Sequence, residues 1–405
     1  MDSHIADQTL AVKFSIKGLQ FERNLVQDIV GPKGWFSQKL MSSPGPLISD
    51  FVTHEKNFRY QTYGIHVGQD DRLTFMGDNG KRIKGYFVDC RKGSATLHRK
   101  VMFDFAPSLK RRLIIPRGVA HTFDNLEYIV TRDEPVWYSD EDNQDWNIDN
   151  DLISVPRDTE PTLFPVVHAN KHHLPDEAHQ FLSRLSQSLL EKPKSYLARY
   201  LLNVGGKEKY VMFEPTSWVE DENELKQLLK TRSIPGVEVR RSRYALTGPR
   251  SWTLVPNTAA CVADVLTLSP SHDATPQWFF HGRTKKWYTF LTKQSAELQV
   301  QFVDCRRNSR SFGRKSDLQI VCDPRISLAI ENGIAYSFCC GEEVLVRCEH
   351  EVFVDENEPR TDIPPFGRDL MVLSADCPAP ELALPAIRCP DSLVYLMAKQ
   401  EVSGT

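Results

Sequence analysis

Two histidines stand where their chemistry would count. His66 closes the run YGIH and His121 lies in LIIPRGVAHTF, and both runs are rich in β-branched and aromatic residues. Imidazole exchanges a proton near neutral pH, and in its neutral form it is a common metal ligand. His66 has a counterpart. The pentapeptide FVDCR stands at 87–91 and again at 302–306, and the same offset of 215 residues carries His66 onto His281. Asp89 and Arg91 belong to that pentapeptide and return as Asp304 and Arg306. Two residues apart on a strand, they share a face, so they suit either a structural ion pair or a binding surface. The tract KHH (171–173) has the composition of a metal tract, but successive side chains on an extended chain diverge. LKRR (109–112) reads as a basic, solvated turn.

The elements that must position these residues come in two copies. In the same register Thr74-Phe75 falls on Thr289-Phe290, Ser94 on Ser309, IPRGVAHTF on IENGIAYSF and Arg132 on Arg347. Farther upstream GPKGW (31–35) resembles GPRSW (248–252) after a small gap. The period is too long for a solenoid and implies two copies of one domain. Within each copy short segments alternate apolar and polar residues between turn signals such as GDNG, RKGS and APSLK, the pattern of a β-sandwich or barrel. Between the copies the pattern turns helical. Phe181, Leu185 and Leu189 recur every four residues in PDEAHQFLSRLSQSLLEK (175–192), and a second short helix fits 221–232, with a strand in KYVMFEP between them. The helical stripes are expected to pack against the barrels. The expected organisation is an N-terminal barrel over 15–165, a helical connector over 166–235, a C-terminal barrel over 236–365 and a packed tail over 366–405.

The spacing P-x-G-x-x-H-x-x-x-N in PRGVAHTFDN (116–125) resembles the second conserved cupin motif. The longer series YGIH, YFVDCRKGSAT, LIIPRGVAHTF and WNIDNDLISVP is similar to the dTDP-4-dehydrorhamnose 3,5-epimerase family of cupins, well over about 28–165 and more weakly over 245–360. The resemblance implies a mainly β chain of two tandem jelly-roll barrels of the epimerase type. It also implies a chemistry: a His removes a proton from carbon beside a ketone, a buried carboxylate orients that His, and a Tyr acts as acid. His66 takes the base position. Tyr63 stands where the family carries an anion-gripping Arg. The orienting acid falls by spacing on Val167. The acid Tyr position falls on Thr131, with Tyr128 and Tyr138 as substitutes. The expected catalytic set is therefore His66, Tyr138 and Tyr128, with Tyr63, His121, Asp89, Arg91 and Arg72 as substrate contacts. The pocket is expected between His66, Tyr63, His121 and Tyr138. Missing partners argue against ordinary epimerisation of a nucleotide sugar. Many cupins hold a metal on three His and a carboxylate, but the box after His66 supplies one His only, so neither a metal nor another cofactor is expected. In the second copy Tyr336 replaces the cupin-turn His, which suggests a structural barrel.

Three function classes remain open: an isomerase acting on a carbonyl compound of sugar or secondary-metabolite origin, a cyclase or lyase reusing the pocket, and a non-catalytic binding bicupin. The isomerase is preferred. Its partner is a small molecule. The 50 Lys+Arg against 53 Asp+Glu leave a net charge of −3, which gives no electrostatic case for nucleic acid or an anionic membrane. No apolar run approaches the roughly 20 residues of a bilayer span. No signal peptide is read, and nine scattered Cys without a CxxC pair suit reduced thiols in the cytoplasm. The family's habit of dimerising by strand exchange implies a homodimer or a pairing of the two barrels within one chain.

Overall fold

A computed structural model describes residues 12–24, 26–30, 37–40, 50–190, 198–204, 207–213, 222–229, 234–248, 251–255, 263–268, 278–291, 297–355, 357, 370–373 and 387–389. The first GPKGW run lies outside them. The chain is mainly β and divides into two units, each discontinuous in sequence. Unit 1 comprises Met1–Leu25, Pro46–Val219 and Tyr244–Val255; unit 2 comprises Val26–Gly45, Glu220–Arg243 and Pro256–Thr405. Each unit thus contains the hairpin that leads into the other copy, an arrangement that contiguous boundaries do not anticipate.

Unit 1 is a two-sheet jelly roll. In one sheet Gln69–Met76 lies between Arg111–Ile115 and Val130–Asp133, and the Asp50–His54 strand then pairs with Ser251–Leu254. In the other, Thr62–His66 lies between Leu152–Pro156 and Val119–Asp124, followed by Ile83–Asp89 and Lys100–Phe105. Alternation fixes which side chains enter the barrel. Leu73, Phe75, Phe87, Phe105, Leu113 and Phe123 form its buried floor, with neighbouring rings edge to face. Tyr63, Ile65, Val88, Ala120, Ile153 and Val167 pack together on the opposite face of the second sheet.

Two parts of the connector differ from expectation. Ala198–Val204 joins the second sheet parallel to Leu152–Pro156, with Lys207–Phe213 beyond it, so much of the connector is sheet. Helices do form over Asp176–Leu190 and Glu222–Leu228. In the first, however, Phe181 is 66% exposed, and among the described side chains His179 is buried, its Nε2 accepting from the Trp137 amide at 3.0 Å. A specific hydrogen bond, rather than Phe181, faces inward there. Of the tail, Leu370–Leu373 pairs with Trp278–His281.

The inner strands of unit 2 repeat the pairing of unit 1 residue for residue. His121 opposes Gly64 and Phe87, as Tyr336 opposes Phe279 and Phe302. Leu113 opposes Leu73, as Leu328 opposes Tyr288; Arg132 opposes Thr74, as Arg347 opposes Thr289. The FVDCR strand ends in the same cage in both units. Buried Asp89 accepts from Arg91 Nε and Nη2 at 2.8 Å and from Ser94 and Thr96 hydroxyls at 2.6 Å. Asp304 does the same with Arg306, Ser309 and Ser311. Burial disfavours the Asp89 carboxylate, but the bonds from Arg91, Ser94 and Thr96 outweigh it and bring its pKa down to about 2. Because the folded value lies below the unfolded 3.8, this stabilisation is present above pH 3.8 and is lost as pH falls through 2. Denaturant unfolding of the wild type and Asp89→Asn is expected to differ by about 2 kcal/mol more at pH 5 than at pH 2.

Candidate active site

The inward positions of unit 1 converge on one cavity of about 240 Å³. Gly64 and His66 come from one strand, Asp71, Leu73 and Phe75 from the next, His121 and Phe123 from the cupin-turn strand, Thr131 and Asp133 from another, and Tyr60 from the preceding loop. One end of the cavity is polar and the other apolar.

Asp151 organises the polar end. It is buried at the start of the Leu152–Pro156 strand and accepts three hydrogen bonds: His66 Nδ1 at 2.7 Å on one oxygen, the Gly68 amide and Trp146 Nε1 at 2.6 Å on the other. Gly68 is required, because a Cβ there would lie 2.5 Å from the Trp146 ring. The cupin turn braces the same residue from behind. Gly118, at φ +75°, donates its amide to the His66 carbonyl at 2.7 Å. With Nδ1 held outward, His66 Nε2 faces the lumen, 3.7 Å from Asp71 Oδ1. His121 Nδ1 lies 3.3 Å from the Val119 carbonyl, which leaves His121 Nε2 3.2 Å from Asp71 Oδ2. Asp71 also accepts from Gln69 Nε2 at 2.6 Å. The donors of His66, Asp71 and His121 lie within 4.8 Å of one another, so these three residues could hold a metal ion.

The groups of this cluster are driven apart in proton affinity. Burial works against the His66 imidazolium, but Asp71, the bond and charge of Asp151, and Asp133 outweigh it and lift the His66 pKa to about 9. Burial lowers that of His121, opposed by Asp71 and helped by His66. Burial and then repulsion from Asp71 raise Asp133 well above the usual carboxylate range. Desolvation of the Tyr60 hydroxyl, followed by repulsion from Asp133 and Asp71, pushes it up to about 12.

Of the expected catalytic and substrate-contact residues, His66 and His121 line the cavity together, as does Thr131 at the acid-Tyr position. The remaining ones do not. Tyr63 points to the opposite face, against Phe164, because it alternates with Gly64. Tyr138 lies on a side strand under the Arg117 guanidinium and beside His173. Tyr128 occupies a turn at φ 60° with Lys81 over its ring. Asp89 and Arg91 are committed to each other, and Arg72 alternates away from Asp71 and Leu73. Within KHH, His172–His173 forms a short strand paired to Tyr138-Ser139. Val167 is buried outside the lumen, and the His66 partner is instead Asp151, within WNIDND. Spacing alone missed it because the family register was followed past the strand. Asp71 and Asp133 were also missed; the alternation of QDDRLTFM, with Leu73 and Phe75 inward, would have pointed to Asp71.

Among the described residues unit 2 does not repeat the acidic cluster. At the corresponding positions Lys286 replaces Asp71, Tyr336 replaces His121 and Cys348 replaces Asp133. His281 Nε2 meets the Tyr336 hydroxyl at 3.1 Å, Tyr336 meets Tyr288, and Lys286 donates to His350 Nδ1 at 2.7 Å.

No family model matches the chain, and no curated protein does. Several solved structures are similar in part. The rmlC epimerase of Mycobacterium tuberculosis is 14% identical over 31% of this chain and 67% of its own, with a TM-score of 0.24. The dTDP-6-deoxy-D-glucose-3,5-epimerase of Legionella pneumophila is 17% identical over 42% and 89%, with a TM-score of 0.26. The oxalate decarboxylase of Lactobacillus farciminis is 13% identical over 85% and 88%, with a TM-score of 0.21. Likeness at this level carries no argument about activity; the jelly-roll fold rests on strand order and register. Among the described residues no helix is long and apolar enough to cross a membrane.

The raised His66 value carries a signed consequence. The folded value of about 9 exceeds the unfolded 6.5, so the stabilisation is complete below pH 6.5 and is lost as pH rises through 9. The unfolding free energy of the wild type is expected to fall over that interval, by roughly 3 kcal/mol at most, while that of His66→Gln stays flat by comparison.

Proposed function

We propose that unit 1 is an isomerase-type enzyme that removes and returns a proton on carbon beside the carbonyl of a small molecule, of sugar or secondary-metabolite origin. The observation that carries this reading is the His66–Asp151 pair, which holds Nδ1 and leaves Nε2 facing the lumen. His66 Nε2 takes the proton, and Asp151 stabilises the imidazolium that results. The Asp133 carboxyl, whose proton affinity burial and Asp71 raise, and the Tyr60 hydroxyl line the same cavity and would donate to the developing enolate oxygen. They take the role first considered for Tyr138 and Tyr128. Among the described residues neither Lys nor Arg lines the cavity, which favours a substrate other than a nucleotide sugar, whose diphosphate calls for cations.

Solvent deuterium exchange into candidate ketosugars and β-ketoacyl compounds tests the reading. His66→Ala is expected to slow exchange by roughly 10²–10⁴, the scale of general acid–base catalysis, and His281→Ala to change it little. Since His66 must be neutral to accept a proton, the wild-type rate should climb about tenfold per pH unit until its pKa near 9. Exchange that persists in His66→Ala would overturn the assignment and leave shape-driven cyclisation or binding.

A further inference from the structure

We infer that the substrate of unit 1 is a small ketone with a hydrocarbon body, not a sugar: its carbonyl group sits among His66, Tyr60 and Asp133, and its body lies on Leu73, Phe75, Phe123 and Leu126. This names the substrate class for the proposed function and rests on it; the cavity's preference for such a ligand does not.

Strand alternation builds the two ends of the cavity. Along Gln69–Met76 the lining positions are Asp71, Leu73 and Phe75, and along Val119–Asp124 His121 is followed by Phe123. Each step of two residues moves roughly 7 Å along the strand. On these strands the charged groups end after one step, and hydrocarbon follows. Leu73, Phe75, Phe123 and Leu126 are buried and belong to one packed cluster. The Phe75 ring meets those of Phe105 and Phe123 edge to face at 5.0 Å, which fixes this wall before a ligand arrives.

The polar groups suit a carbonyl compound with few other oxygens. Asp133 Oδ1 is buried and has no hydrogen-bond partner, so the lumen holds a group ready for a ligand oxygen. Thr62, Thr131 and Ser154 add hydroxyls to the lining. That set serves a keto or β-dicarbonyl group. A sugar carries an oxygen on nearly every carbon, and those facing Leu73 and Phe75 would be buried without partners, each weakening binding by roughly tenfold or more. A methylene in the same place strengthens it about fourfold.

Volume sets the size. A dry apolar cavity of about 150 Å³ accepts benzene, so about 240 Å³ takes a ligand on the order of ten heavy atoms. The barrel frame does not impose the hydrocarbon lining. In unit 2 Tyr288 stands where Leu73 does, and its hydroxyl meets that of Tyr336. A hydroxyl is compatible with the frame at that position, and unit 1 has hydrocarbon there instead.

Calorimetric binding of straight-chain 2-alkanones, from butanone to dodecanone, to the full-length protein tests the inference, with fructose as the polar counterpart and solvent deuterium exchange measured on each compound. Affinity is expected to rise about fourfold per methylene, to level off at about ten heavy atoms, and there to exceed that for fructose at least 100-fold. Exchange should follow the same order. His66→Gln should keep the order of binding and lose exchange. Leu73→Ala, which enlarges the cavity, should move the plateau to longer ketones. Val52→Ala makes a milder change in the same lining and should move it the same way; circular dichroism checks that each variant is folded. Affinity indifferent to chain length, fructose bound as tightly as the alkanones, or a plateau unmoved in the folded variants overturns the class. His66-dependent exchange on ketosugars with no preference for alkanones also overturns it, and leaves the proton-abstracting role intact. Alkanones bound in the expected order with no exchange on any of them support the ligand class and count against the proposed function.

Discussion

The aim of the His66 imidazole into the lumen depends on the bond between Asp151 and His66 Nδ1. Without it the imidazole could turn, and Nε2 would have no fixed aim. Asp151 can hold the ring because it is itself held, by a backbone amide and an indole on its other oxygen. A buried carboxylate in an apolar surrounding is costly unless its lone pairs are satisfied. Here three donors satisfy them, and one donor is the residue whose chemistry matters. Gly68 makes this possible by leaving room for Trp146 beside the chain.

The duplicated frame explains why such a site can exist in one unit and not in the other. Register, turns and the Asp–Arg–hydroxyl cage are common to both, so strand pairing does not depend on what fills the lumen. That leaves the inward positions free to differ. In unit 1 they gather carboxylates and imidazoles; in unit 2 they gather Lys286, His350 and a chain of hydroxyls from His281 through Tyr336 to Tyr288. The cupin turn persists in both, with the Gly118 and Gly333 amides on the carbonyls of His66 and His281 at the same 2.7 Å.

The repeat made the fold legible in the sequence, because paired strands conserve offset and the period-2 pattern survives divergence. Half of the polar end was legible too: His66 and His121 stand in motifs whose geometry is set by local turns. The remainder was not, for identifiable reasons. Asp151 reaches His66 across 85 residues, and only the pairing of Leu152 with His66 brings them together. Tyr63 follows from the family register and Tyr138 from its nearness to Thr131, yet one alternates outward and the other lies on a side strand. Asp89 and Arg91 recur because they hold a turn, and recurrence alone does not separate a structural cage from a binding surface.

The central claim is that Asp151 fixes the orientation and protonation of His66. Nitrogen-15 NMR of histidine-labelled, chelator-stripped protein near pH 7 tests it most directly. The account predicts a slowly exchanging, strongly downfield Nδ1 proton on His66, retained in Val167→Ala and lost in Asp151→Asn. A His66 ring without a proton on Nδ1, or a downfield signal indifferent to Asp151→Asn, would contradict it.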